Sequence, residues 1–101
     1  MRLTTVQIET FKHLAAEIFG VSARVYLFGS RTDDRRAGGD IDLYVVGFDG
    51  TIEQQLDAKL RFLVEAKLTI GDQRIDLVFA PARGQKAAPI HQLAERTGIP
   101  L

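Results

Sequence analysis

The segment Asp40-Ile41-Asp42-Leu43-Tyr44-Val45-Val46 sets two carboxylates one residue apart inside an otherwise apolar run. Side chains of an extended strand point to opposite faces in turn. Ile41, Leu43 and Val45 therefore enter a core together, while Asp40, Asp42 and Tyr44 share the other face. A chain building only a core would fill the aspartate positions with Val, Thr or Tyr, the residues that suit a half-buried pleat. The segment thus demands a sheet with one buried face and one open face that carries charge.

Two further runs read as strands of the same kind. Residues 23–29, ARVYLFG, are rich in β-branched and aromatic side chains and end at Gly29. Residues 73–80, QRIDLVFA, are stopped by Pro81; Ile75, Leu77 and Phe79 form their apolar set and Asp76 faces the other way. If the second and third strands are neighbours, Asp40, Asp42 and Asp76 converge over a few ångströms.

Helical signals separate these strands. Thr4 with Gln7 fits a capping box, followed at helical spacing by Ile8, Phe11, Leu14, Ala15 and Ile18, and Gly20 ends the helix. Thr51 with Gln54 opens a second helix, whose stripe of Ile52, Leu56, Leu60, Leu63 and Val64 is expected to face the core. A short last helix is expected over 89–97, with Pro89 in its first turn and Gly98 just past its end. Residues 30–39 are polar, with one helical turn after Ser30, and 82–88 form a loop. The order α-β-(short α)-β-α-β-α defines an α/β (α+β) domain, a small mixed sheet with helices packed on it.

At 101 residues the chain is expected to be one domain, 1–101, without internal repeat or linker. Thirteen basic and thirteen acidic residues cancel, which argues against a nucleic-acid binder acting through bulk charge. No apolar run approaches the roughly 20 residues a membrane span requires, and the mixed N-terminal run reads as neither signal peptide nor anchor. The absence of cysteine excludes thiol chemistry and suits the cytoplasm.

A cluster of unpaired carboxylates repels itself and raises its pKa values, and divalent cations relieve that repulsion. Hard oxygen ligands of this kind suit Mg²⁺ or Mn²⁺, which complete their shells with water and substrate phosphates. Gly29-Ser30 supplies the other half: glycine permits close approach of a phosphate, the turn after it presents backbone N–H groups, and Ser30 adds a hydroxyl. Two ions about 3.5–4 Å apart would activate an attacking hydroxyl and stabilise a leaving pyrophosphate. Arg31, Arg35 and Arg36 lie in the loop facing this triphosphate position, Arg31 being the best placed to contact it. Arg83 and Lys86 offer a second small basic loop. Asp33-Asp34 lacks EF-hand spacing, and His13 and His91 lie apart from other ligands. Tyr44 reads as a packed strand tyrosine.

The residues LFGSR…GGDIDLYV followed by RIDLVF resemble the nucleotidyltransferase superfamily of DNA polymerase beta type, and within it the minimal nucleotidyltransferases. Gly29, Ser30, Asp40, Asp42 and Asp76 match that pattern in order. The resemblance implies the polymerase beta-type core fold, with Asp40 and Asp42 binding two Mg²⁺. Asp76 would be the third ligand, nearest the incoming hydroxyl. It further implies an NTP substrate, ATP foremost, and transfer of its NMP to an acceptor hydroxyl such as a protein tyrosine. The implied partner is a HEPN-type or other helical protein, with this chain as antitoxin. Gly39 departs from the serine many members carry before the first aspartate, removing a hydroxyl but no ligand. Larger members of the resembled superfamily carry further domains for the acceptor, so the expectation here is that a partner or a second copy in a homo-oligomer holds it. The rival readings are a non-catalytic antitoxin acting by occlusion and a transferase acting on a small molecule or RNA end.

Overall fold

Both capping boxes expected from the sequence start helices in the computed structural model, which describes residues 2–32, 39–82 and 84–101. Helix α1 covers Thr5–Ile18, α2 covers Ile52–Ile70 and α3 covers Pro89–Thr97. The Thr4 hydroxyl accepts from the Gln7 N–H at 3.1 Å and the Gln7 side chain accepts from the Thr4 N–H at 2.9 Å. Thr51 and Gln54 repeat the exchange at 3.1 and 2.8 Å. These reciprocal bonds satisfy N–H groups that the first helical turn leaves without partners. Helix α3 has no side-chain oxygen at its cap; Nδ1 of His91 accepts from the Ala88 N–H at 2.9 Å instead.

The strands are β1 (Arg24–Phe28), β2 (Ile41–Val46), β3 (Ile75–Phe79) and β4 (Ile99–Pro100), in the spatial order β3-β2-β1-β4. β1 pairs antiparallel with β2 and with β4, and β2 pairs parallel with β3 across the α2 connection. The sheet is therefore mixed, as expected. Strand β4 was not foreseen. It is two residues long, sits at an edge where Pro100 costs no ladder bond, and is followed by a Leu101 N–H that donates to the Val25 carbonyl at 3.0 Å.

One face of the sheet makes the main core. Val25, Leu27, Ile41, Leu43, Val45, Ile75 and Leu77 pack there against Phe11, Leu14 and Ala15 of α1 and Phe62 and Ala66 of α2. The alternation expected in β2 holds. Aromatic rings weld the layers: Phe62 stacks on Phe11 and Phe19 with centroids 5.9 and 5.2 Å apart, and Phe19 meets Phe79 edge-on at 5.5 Å. The opposite face is only partly open. Helix α3 covers it with Ala94, enclosing Phe28 and Tyr44 in a second small cluster.

Helix α2 turns a different stripe inward from the one its leucines indicated. Ile52, Leu56, Leu60 and Val64 are exposed and Leu63 is half-buried, whereas Phe62 and Ala66 are fully enclosed. Ala58, Phe62, Ala66 and Ile70 form a second row at the same four-residue spacing. Two small alanines let the helix axis approach the sheet, and the aromatic ring between them fills the gap. Close packing favours this row over one of uniformly bulky side chains.

Replacing Phe62 with Ala removes the ring that joins α1, α2 and the sheet. The expected loss is about 3–5 kcal/mol of unfolding free energy, measured by urea denaturation with an unchanged m-value.

Candidate functional site

The middle strand carries the site. Along the parallel β2–β3 ladder Asp42 lies directly opposite Asp76, as Ile41 does opposite Ile75. Across the antiparallel β1–β2 ladder Asp42 faces Phe28, the residue before Gly29. One carboxylate is thereby set between a second carboxylate on one side and the Gly29-Ser30 turn on the other. Gly29 opens a short 3-10 turn, Gly29–Thr32, closed by the Thr32 hydroxyl donating to the Gly29 carbonyl at 2.7 Å.

Two independent constraints require glycine at position 29. Its φ is +80°, in the left-handed region that side chains disfavour, and a Cβ there would collide with the Asp42 carboxylate. The close approach inferred from the sequence is therefore occupied on the protein side by Asp42 itself.

Burial, the charge of Asp76 and the charge of Asp40, in that order, push the Asp42 carboxyl above its ordinary value of 3.8, and Arg74 opposes them. Asp40, at the mouth of the strand, leans to Arg74, whose Nε lies 3.4 Å from its Oδ2. Arg74 is largely in solvent and Asp40 is half-buried, so this pair is a weak tether. Among the described residues no three His, Cys, Asp or Glu side chains are gathered tightly enough to form a ready metal site. The donor chemistry nonetheless fits a hard divalent cation: Asp42 and Asp76 oppose each other with like charge, and Asp40 stands two residues along the same face.

Arg31 is engaged with the backbone on either side of the turn. Its Nε donates to the Gly39 carbonyl at 3.1 Å and its Nη1 to the Arg2 carbonyl at 3.0 Å, while the Arg2 N–H donates to the Arg31 carbonyl at 2.8 Å. The guanidinium thus ties together the start of the chain, the turn and the entry to β2. Gly39 has φ +97°, so the serine found at this place in many proteins of the resembled pattern would be strained here. Ser30 lends its backbone to the 3-10 turn. Asp33, Asp34, Arg35, Arg36 and Arg83 lie outside the described residues.

Tyr44 shares the face of the two aspartates but not their openness. It is 2% exposed, and its hydroxyl donates to Oε1 of Glu95 on α3 at 3.5 Å. Burial first, then the Glu95 charge, push the phenol upward from its usual range. A cavity of about 350 Å³ lies beside this pair, lined by Tyr26, Val46, Ala94 and Gly98 as well. A cavity of about 600 Å³ is elsewhere: Phe48, Gly50, Gln54 and Pro81 line it at the C-terminal ends of β2 and β3, opposite to the carboxylates. His13 sits on the exposed side of α1, 3.3 Å from Glu17, and joins no site; Lys86 is exposed in its loop.

Sequence reasoning missed Arg74 and Glu95. The first had a signal: Arg74 and Asp76 are two apart in a strand and so share a face. Glu95 had none, because its meeting with Tyr44 depends on how α3 crosses the sheet. No protein-family model matches the chain, and no curated protein matches it.

A raised native pKa means that the folded state holds the Asp42 proton more tightly than the open chain does. Asp42 therefore subtracts stability as pH rises from 3.8 through its native value. Asp42→Asn should melt above the wild type at pH 7, and the difference should close as the pH is lowered past 3.8. Gly29→Ala should act in the opposite sense. The left-handed backbone alone costs about 1–2 kcal/mol, and displacement of Asp42 adds to it, so its melting temperature should fall at every pH.

Proposed function

We propose that this chain is a nucleotidyltransferase that moves the NMP of an NTP, ATP foremost, to an acceptor hydroxyl. The observation that carries the reading is the register of Asp42 against Asp76 beside the glycine turn at Gly29. A structural strand gains nothing from two carboxylates held face to face, and like charges directly opposite are destabilising. A site for cations and phosphate does gain from it.

Asp42 and Asp76 are the residues that would hold Mg²⁺ or Mn²⁺, with Asp40 joining them by leaving Arg74. Such cations supply charge neutralisation at the triphosphate and lower the pKa of a bound hydroxyl. The chain's own groups do the rest. Backbone N–H groups of the Gly29-Ser30 turn orient the phosphates. Asp76 lies nearest the acceptor and takes the proton of its hydroxyl. The acceptor oxygen then bonds to the α-phosphorus, the bond from that phosphorus to the bridging oxygen breaks, and pyrophosphate departs with the electron pair. The acceptor is a protein hydroxyl, tyrosine foremost, on a helical HEPN-type partner that this chain inactivates as an antitoxin in the cytoplasm. Among the described residues no helix is long and apolar enough to cross a membrane, which is compatible with that setting.

The test is label transfer from α-labelled ATP with Mg²⁺ in an extract of the host, beside Asp42→Asn. Loss of one ligand to a group worth several kcal/mol at the transition state should lower transfer at least about 100-fold. Label on a protein band with the wild type alone would bear the reading out. No wild-type label above the variant, with any of the four NTPs, would overturn it and leave occlusion as the mode of action.

A further inference from the structure

The outward row on α2 has no work in the core or at the carboxylates. Ile52, Leu56, Leu60, Val64 and Leu68 recur every four residues for the length of the helix, each between 53% and 79% exposed. Over that span the row runs about 24 Å at 1.5 Å per residue. Apolar surface of this continuity is rare on a monomer and marks an interaction site. Its spacing selects the form of the partner. A four-residue row is one of the two natural ridges of a helix surface, and two such ridges interdigitate when the helices cross at about −50°. A coiled-coil seam would instead alternate steps of three and four.

The pattern is also self-complementary. Leu60 lies midway between Leu56 and Val64, between Ile52 and Leu68, and between Glu53 and Lys67. An antiparallel second copy centred on Leu60 would set Leu56 beside Val64, and Glu53 of the first turn towards Lys67 of the last turn, each pairing made twice over, while Ile52 and Leu68 turn to the flanks of the contact. A two-fold interface requires this property, in which residue i meets j while j meets i. The acidic first turn and basic last turn also complement the dipoles of two antiparallel helices.

We infer that the exposed ridge of α2 is a homodimer interface, in which two copies of this chain pack α2 against α2 across a two-fold axis at Leu60. Helices α1 and α2 cover the core face of the sheet, whereas Asp42 and Asp76 lie on the opposite face. Dimerisation therefore leaves both carboxylate faces outward and free, and the inference stands apart from the proposed chemistry.

Sedimentation equilibrium of the intact chain across the micromolar range tests it. The wild type should be a dimer and Leu60→Glu a monomer, with matching circular dichroism to show that the variant folds. Glu53→Lys and Lys67→Glu should each weaken the dimer at least about 3-fold, the effect being lost at high salt. The double exchange should restore it, because only facing residues can compensate. A wild-type monomer would overturn the inference. A dimer that survives Leu60→Glu, or a double exchange no better than the singles, would also overturn it.

Discussion

Everything in this fold is referred to β2, which is hydrogen-bonded on both sides, antiparallel to β1 and parallel to β3. A slip of one residue in either ladder would exchange its faces, sending Asp42 into the core and Leu43 out of it. The completely enclosed Ile41 and Leu43 make that exchange prohibitive. The same apolar contacts that stabilise the domain therefore hold two like charges opposite each other. Core packing is the force, and the carboxylate pair is what that force is able to hold in place.

Much of this was legible because it is local. The capping boxes at Thr4 and Thr51, the alternation around Asp42, and the Pro89 and Gly98 boundaries of α3 each depend on residues a few positions apart, and each appears where expected. Strand β4 was not legible, since two residues carry no period and its pairing with Tyr26 and Leu27 comes from tertiary placement. Helix α2 is the instructive failure. Its two apolar rows have the same spacing, and hydrophobicity favours the leucine row. Volume decides otherwise, because a ring flanked by alanines fits the space above the sheet.

At the candidate site, sequence pattern singled out the aspartates but left their relations open. That Asp42 and Asp76 meet follows from strand adjacency, which the pattern left conditional and the parallel ladder supplies. Arg31 illustrates the limit: sequence pattern places it beside a glycine turn but does not announce that its guanidinium donates to two backbone carbonyls, of Gly39 and Arg2. Gly39 illustrates the reverse. Its positive φ favours glycine at this position, and no pattern of side chains announces it.

The parallel pairing of β2 with β3 also gives the site a history within folding. Its two aspartates belong to strands separated by the whole of α2, so they meet only after a long segment has closed on itself, a step whose entropy must be met before the contacts form. The antiparallel β1–β2 pair closes a shorter loop. A chain with that pair formed and β3 still undocked would hold the glycine turn against Asp42 with only Asp40 of like charge beside it. By loop length alone, the opposition of Asp42 and Asp76 therefore bears on the closure of β2 with β3 and not on the shorter closure of β1 with β2.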